Sequence, residues 1–239
     1  MSKAVRNIAN IHSSNPYKYS IIIPAAGQGI RMKSYGAKPL IKLTPDLNII
    51  QNQLNIIASK FTNYEVVLIV GFQAYRVISQ TPHDIIKIEN ERFAETNVCR
   101  SIGMGLRAAT TNRVMIIYGD VVMNKNTFDT KFNKGSSLII DSDTMTNNEV
   151  GCTINESKYI EQLSHDSPNK WAQIGFFVDK ELEMLKKICW NPDNERHYGF
   201  EAINEIINMG GKFRAVSPPG IKVNDVDCSK DIPIAQSII

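Results

Sequence analysis

Apolar runs and helical segments alternate along the first half of the chain. The apolar runs occupy residues 21–24, 65–70, 85–88 and 114–118. Residues 49–61 and 101–109 have the spacing of apolar positions that is typical of helices. Strands that are apolar throughout are buried on both sides, as in a parallel sheet covered by helices on each face. The pattern predicts an α/β fold with three layers: a Rossmann-like, mixed but mostly parallel sheet with helices on both faces.

The pattern changes after Asp120, where short strand-like runs are joined by polar turns. These runs occupy residues 138–141, 150–154, 159–163 and 174–178. They predict a mixed or antiparallel section beside the parallel sheet. Helices are expected again at 180–189 and 200–209, and a last strand at 213–216. Residues 1–18 are polar and are interpreted as an N-terminal extension with a helical turn at 4–11, whereas 19–239 are interpreted as one domain.

A glycine-punctuated loop follows the first strand and leads to two cations. Residues 21–32 read Ile-Ile-Ile-Pro-Ala-Ala-Gly-Gln-Gly-Ile-Arg-Met, and Lys38-Pro39-Leu40 comes shortly afterwards. Glycines let the backbone approach a polyanion closely, and the cations Arg31 and Lys38 would neutralise it. The loop therefore indicates a nucleoside triphosphate site. The alternative is an ordinary glycine turn beside two unrelated surface cations.

Two better-known phosphate loops are excluded by the details of this segment. A dinucleotide loop needs a third glycine where Met32 stands, and a Walker loop needs a closing Gly-Lys-Ser/Thr that is absent. The segment resembles the signature of the nucleotidyltransferases, Ala-Ala-Gly-x-Gly-Ser/Thr-Arg-Met followed by Lys-Pro, with Ile30 in place of the hydroxyl residue. The resemblance implies a glycosyltransferase-A-like form of the fold, with Arg31 and Lys38 as catalytic cations. The loop that would bind nucleotide comprises Ala25, Ala26, Gly27, Gln28 and Gly29.

Two aspartates are candidates for binding Mg²⁺, the cofactor that the resemblance implies. Asp120 follows the strand at 114–118, and the carboxyl ends of strands in open α/β sheets are where ligands gather. A turn aspartate without a ligand is the alternative. Near the C-terminus, Val223-Asn224-Asp225-Val226-Asp227 resembles the family's closing motif and assigns Asp227 as the second metal ligand. Asp231 is expected to be a helix N-cap.

The choice of nucleotide rests on residues 88–102. They resemble a segment of phosphocholine-type cytidylyltransferases in which an Asn, an aromatic residue, Thr-Asn and a Ser precede a helix. The resemblance places Asn90, Asn97 and Ser101 in the nucleotide pocket and favours CTP. A capped loop before a helix, with Thr96 or Asn97 as the cap, is the alternative, and both can hold together because a helix N-terminus also favours phosphate.

The expected reaction is attack by an acceptor phosphate on the α-phosphorus of CTP, with release of pyrophosphate. The lysine by which sugar-1-phosphate enzymes hold their substrate is missing near 163–168, although Lys170 could substitute. The resemblance therefore favours a small phosphomonoester acceptor and a product used in surface glycan or lipid decoration, such as a capsule. The alternatives are a sugar-1-phosphate or molybdopterin-type nucleotidyltransferase and a catalytically silent nucleotide sensor. Four aromatic residues that could form an acceptor pocket are expected to be core instead: Trp171, Phe176, Trp190 and Tyr198.

Composition sets further limits on partners. The 239 residues carry a formal charge of +3 with no basic run, which argues against nucleic acid as a partner. No apolar stretch is long enough for membrane insertion or forms a secretory signal, so a cytoplasmic location is expected. The four cysteines lack metal-ligand spacing and are expected to be free thiols. A homodimer is compatible with these features.

Overall fold

The computed structural model describes residues 18–29, 32, 35–132, 134–141 and 149–239. The predicted extension at 1–18, except Lys18, and residue Arg31 lie outside the described residues. The strands are β1 Tyr19–Pro24, β2 Lys42–Thr44, β3 Leu47–Asn48, β4 Tyr64–Val70, β5 Ile86–Glu89, β6 Arg113–Ile117, β7 Val121–Met123, β8 Ser137–Asp141, β9 Val150–Ile154, β10 Ile160–His165, β11 Asn169–Val178, β12 Arg214–Val216 and β13 Val223–Asp225. The helices are α1 Ile49–Lys60, α2 Ala74–Ser79, α3 Val98–Ala108, α4 Asp179–Trp190, α5 Gly199–Asn208 and α6 Asp231–Gln236.

Within the described residues, one large mixed sheet forms the centre of the fold, and its main strand order is β10-β9-β11-β6-β1-β4-β5. Strands β6, β1, β4 and β5 run parallel to one another. Strand β11 pairs antiparallel with β6, β8 and β9, and β12 joins the edge of β8. The prediction of a parallel half followed by a mixed section is confirmed.

Helices cover both faces of this sheet, as predicted. Along β4, Val66 and Leu68 pack into a core on one face, which includes apolar side chains of α1 and α2. The intervening Val67 and Ile69 pack into a second core on the other face, with side chains of α3, α4 and α5. Because successive side chains of a strand point to opposite faces, the unbroken apolar run from Val66 to Val70 requires this three-layer arrangement.

A small antiparallel ribbon brings the C-terminal segment to the end of β6. Strands β7 and β13 pair with Val121 opposite Asp225, and Val226 N donates to Asp120 O at 3.0 Å. Each strand has only three residues. Such short runs show no periodicity, so the sequence did not predict them. The ribbon determines where Asp227 lies relative to Asp120.

Three local expectations differ from the structure. Helix α3 begins at Val98 and not at 101, because the Asn97 side chain accepts from Val98 N and caps it. Strand β11 begins at Asn169 and not at 174, because its first residues pair with β8 and β9. Asp231 is the first residue of α6 and not its N-cap, and its carboxylate accepts from the N–H groups of Asp227 and Cys228. Among the described residues, every helix is too short or too polar to cross a membrane.

Candidate active site

A cleft of about 530 Å³ lies at the carboxyl ends of the parallel strands. Ala25 follows β1, Asn90 follows β5 and Asp120 lies just beyond β6, and all three line the cleft. The predicted site residues that line it are Ala25, Ala26, Gly27, Gly29, Lys38, Asn90, Asn97, Ser101, Asp120 and Asp227. Gln28 belongs to the same loop but is not among the lining residues. Arg31 lies outside the described residues.

Two glycines allow the close packing on which the cleft depends. Gly119 N donates to Pro24 O at 3.1 Å, and a Cβ on Gly119 would lie 2.6 Å from the Cβ of Ala25. The ends of β1 and β6 can therefore approach each other only with glycine at this position. Gly29 has φ +56°, and a Cβ there would lie 2.9 Å from Lys38 Cγ. The Lys38 side chain thus passes directly over the loop.

Lys38 joins the two aspartates that were predicted to bind metal. Its Nζ lies 2.8 Å from Asp120 Oδ2 and 2.5 Å from Asp227 Oδ1. The Lys38 side chain is only 15% exposed, so the ammonium group is largely shielded from water. Burial opposes its charge, but the two carboxylates outweigh this effect and raise the pKa of Lys38 above its ordinary value. Lys38 is therefore a fixed cation at the centre of the cleft.

Asn90 organises the wall where the nucleotide base was predicted to bind. Its Nδ2 donates to Thr96 Oγ1 at 3.2 Å and to Ser101 Oγ at 3.3 Å. Its Oδ1 accepts from Arg92 N and Arg100 Nε. Asn90 is 1% exposed, so these bonds satisfy a buried amide. The segment is a capped loop before α3, and the same segment lines the cleft. The two interpretations of residues 88–102 are therefore compatible.

Aromatic residues from the second half of the chain also line the cleft. Tyr198 is 55% exposed and stacks on Phe200 with ring centroids 5.9 Å apart. Trp171 also lines the cleft, and its ring packs edge-to-face with that of Tyr118, with centroids 5.5 Å apart. The expectation that these aromatics are core is correct for Phe176 and Trp171, which are 1% and 4% exposed, and wrong for Tyr198 and Trp190, which are 55% and 40% exposed.

Glu149 and Gln173 line the cleft but belong to no motif in the sequence. Phe93 also lines the cleft and is the aromatic residue of the segment 88–102. His165 also lines the cleft, and the centroid of its ring lies 5.7 Å from that of Phe200. Tyr118 directly precedes Gly119-Asp120 at the end of a buried strand, and that position could have identified it.

Comparison with solved structures identifies the fold. The CTP:phosphocholine cytidylyltransferase of Streptococcus pneumoniae superposes with a TM-score of 0.75 and 18% identity, covering 92% of this chain and 98% of that chain. The inositol-1-phosphate CTP transferase of T. maritima gives 0.73 and 13%, covering 93% and 96%. A Bacillus anthracis protein assigned as a glucose-1-phosphate thymidylyltransferase gives 0.74 and 13%, covering 92% and 94%.

The chain has the fold of the nucleotidyltransferases. At 18% identity and below, these similarities establish the fold. No family model matches the chain, and no curated protein matches it. The α/β class predicted from the apolar pattern and the form of the fold implied by the resemblance are thereby confirmed.

The cleft offers a donor set that suits Mg²⁺. Mg²⁺ is commonly held by one or two carboxylates, with water and substrate phosphates completing its coordination. Asp120 and Asp227 are brought together at Lys38 and supply such a pair. The described residues contain no group of three or more His, Cys, Asp or Glu side chains arranged to hold a metal. The site therefore fits a cation that the substrate helps to bind.

Lys170 lies beside this cleft and is committed to carboxylates. Its Nζ lies 2.5 Å from Glu149 Oε1 and 3.4 Å from Asp225 Oδ1, and its side chain is 3% exposed. Burial raises the pKa of Asp225, and Lys170 acts in the opposite direction. The expectation that Lys170 could substitute for the missing sugar-phosphate lysine therefore finds no support in its contacts.

Proposed function

We propose that the chain transfers a nucleoside monophosphate, CMP from CTP, to a small phosphomonoester and releases pyrophosphate. The observation that carries this proposal is the meeting of Lys38, Asp120 and Asp227 beside a glycine loop at the carboxyl ends of the parallel strands. Fixed cations next to a loop that admits close backbone approach are what a triphosphate requires. The nucleotidyltransferase fold agrees with this chemistry.

The reaction needs positioning and charge neutralisation more than proton transfer. The acceptor phosphate is already an anion near neutral pH, so no general base is required to activate it. Lys38 would hold the α-phosphate and the incoming phosphate together, while Arg31 would bind the β- and γ-phosphates that leave. Mg²⁺ bound through Asp120 and Asp227 supplies Lewis-acid neutralisation of charge at the α-phosphoryl group.

CTP is the preferred nucleotide because of the segment around Asn90. Ser101 Oγ accepts from Asn90 Nδ2, which leaves the Ser101 hydroxyl proton to donate to a pyrimidine carbonyl oxygen. Two of the similar structures are of enzymes named for their use of CTP. A pyrimidine carbonyl is common to CTP and UTP, so the preference between them rests on the resemblance to the cytidylyltransferases.

The acceptor is a small phosphomonoester whose organic part meets the aromatic wall. Tyr198, Phe200 and Trp171 provide apolar ring surface on that side of the cleft. Sugar 1-phosphates are the second candidate, since one similar structure is assigned to an enzyme of that class. The engagement of Lys170 by two carboxylates argues against this second candidate.

The experiment that tests the proposal is a matrix of pyrophosphate release with Mg²⁺. CTP, UTP, GTP, ATP and dTTP are each paired with phosphocholine, other phosphorylated alcohols and amines, and hexose 1-phosphates. Release with CTP and one phosphomonoester is the expected result. Release with GTP alone would favour the molybdopterin-type alternative, and nucleotide binding without release from any pair would favour the silent sensor.

A further inference from the structure

We propose that Glu195 is a positioning residue that couples nucleotide binding to acceptor binding. Through Arg92 and Arg100, Glu195 joins the start of α3 and the loop before it to the segment 195–200. That segment contains Tyr198 and Phe200 of the aromatic wall. The inference rests on the proposed function, because the proposed function assigns one side of the cleft to the nucleotide and the other side to the acceptor. Neither the motif resemblance nor the reaction chemistry calls for an acidic residue at this position.

A single carboxylate is held between two guanidinium groups. Glu195 Oε1 lies 2.8 Å from an Nη atom of Arg100, and Glu195 Oε2 lies 2.9 Å from an Nη atom of Arg92. The Glu195 side chain is 19% exposed and that of Arg100 is 29% exposed. Charge-assisted bonds to both oxygens fix the orientation of the carboxylate as well as its position.

The two arginines lead to the nucleotide side of the cleft. Arg100 Nε donates to Asn90 Oδ1 at 3.3 Å, and Arg92 N donates to the same oxygen at 3.2 Å. Asn90 in turn donates to Ser101 Oγ, and Ser101 lines the cleft on the side of the proposed base site. Glu195 is therefore one arginine away from the amide that orders this wall.

The backbone beyond Glu195 leads to the acceptor side. Asn97 N donates to Glu195 O at 2.8 Å, and Cys99 N donates to His197 O at 3.3 Å. Tyr198 and Phe200 follow immediately and form the stacked pair at the start of α5. The segment 195–200 is thus fastened to the start of α3 by side-chain and backbone bonds together.

This arrangement has a consequence for the order of binding. A nucleotide that orders the loop around Asn90 also orders Arg92 and Arg100, and through Glu195 it fixes the aromatic wall. Coupling between two sites is reciprocal, so a bound acceptor strengthens nucleotide binding by the same factor. The nucleotide is expected to bind first and to raise the affinity for the acceptor.

The test compares Glu195→Gln with the wild-type protein. The substitution keeps the shape of the side chain and removes its charge, and loss of a partly exposed ion pair should move Tm by no more than about 3 °C. Glu183→Gln is the matched control, because Glu183 pairs with Lys186 on the outer face of α4, away from the cleft. Arg92→Gln is a second variant, since Arg92 is 49% exposed and its loss carries little risk to folding.

Hydrogen exchange with nucleotide alone is the primary measurement. In the wild type and in Glu183→Gln, saturating CTP and Mg²⁺ should slow amide exchange in both 90–101 and 195–203. In Glu195→Gln and Arg92→Gln, CTP should slow exchange in 90–101 only. In Glu195→Gln the KM for the acceptor at saturating CTP should rise at least about fivefold with kcat nearly unchanged, and the KM for CTP at saturating acceptor should rise by the same factor.

The outcomes separate this inference from the proposed function. Protection of 195–203 that persists in Glu195→Gln, or an unchanged KM for the acceptor, would overturn the coupling. Absence of protection at 195–203 in the wild type with nucleotide bound would overturn it as well. Absence of pyrophosphate release with every pair would instead refute the proposed reaction, because the exchange measurement requires no turnover.

Discussion

Lys38 Nζ lies 2.5 Å from Oδ1 of Asp227, although 189 positions separate these residues in the chain. The same ammonium group lies 2.8 Å from Asp120 Oδ2. The contact depends on the ribbon of β7 and β13, which returns the C-terminal segment to the end of β6. One cation is therefore shared by two carboxylates from distant parts of the chain. The roles of the lysine and of the carboxylates can be tested by substitution.

Lys38→Ala should lower turnover by at least about a hundredfold, because it removes the fixed cation that neutralises the phosphates. Steady-state pyrophosphate release measures the effect, and circular dichroism checks the fold. Lys60→Ala is the matched control, since Lys60 also lies 2.5 Å from an aspartate, Asp129, at a position outside the cleft. Near-normal turnover in Lys38→Ala would remove Lys38 from the mechanism.

Asp227→Asn should also lower turnover by at least about a hundredfold and should raise the Mg²⁺ concentration needed for the half-maximal rate. An amide is a weaker ligand for a hard cation than a carboxylate, and the pair with Asp120 would lose one charge. Rates are measured over a Mg²⁺ titration for the wild type, Asp227→Asn and the control Asp129→Asn. An unchanged Mg²⁺ requirement would show that Asp227 does not bind the metal.

Gly119→Ala should lower the free energy of unfolding by about 1–3 kcal/mol, since its Cβ would lie 2.6 Å from that of Ala25. Urea denaturation without nucleotide measures this cost. Gly27→Ala is the control within the same cleft, because a Cβ on Gly27 meets nothing within 4 Å. Equal stability of the two variants would show that the ends of β1 and β6 can separate at little cost.

The sequence predicted the layers of the fold better than it predicted the cleft. Strand β4 is apolar at every position from Val66 to Val70, and only burial on both faces explains this pattern. The meeting of Asp120 with Asp227 came from a resemblance, because the ribbon that joins them is too short to give a pattern. Glu195 belongs to no motif and acquires its role from contacts with Arg92 and Arg100 that only the folded chain creates.

The aromatic residues show a second reason why the sequence did not predict the aromatic wall of the cleft. Trp171 is 4% exposed, so it behaves as a core residue by burial while one surface of it lines the cleft. Composition and periodicity cannot distinguish a ring that faces other side chains from a ring that faces a ligand. The position of such a ring relative to the strand ends is a property of the tertiary structure.

Lys170→Met should lower the free energy of unfolding by about 3–5 kcal/mol, because it leaves Glu149 and Asp225 without their buried cation. Urea denaturation measures the loss. The triple variant Lys170→Met, Glu149→Gln, Asp225→Asn also removes the two carboxylate charges and should recover a large part of the lost stability. If Lys170→Met were as stable as the wild type, solvation of Glu149 and Asp225 by water would have replaced the interaction with Lys170.

Alkaline pH should destabilise the protein through its buried thiols. Burial raises the pKa of Cys152 to about 12, above the value of about 8.5 expected for an unfolded cysteine. The hydrogen bond with Cys99, together with burial, also raises the pKa of Cys189. The folded state therefore holds these protons more tightly than the unfolded state does. The stability that they contribute is complete below about pH 8.5 and is lost as the pH rises toward 12.

For Cys152 alone, the free energy of unfolding should fall by up to about 1.4 kcal/mol per pH unit above about pH 9. Urea denaturation at pH 8, 9 and 10 measures this slope in the wild type and in Cys152→Ala, which should show a shallower one. Ile154→Ala is the control, because it truncates an apolar side chain of the same strand without removing a titrating group. Ile154→Ala should keep the slope of the wild type. If Cys152→Ala also kept it, groups other than this thiol would cause the loss of stability at alkaline pH.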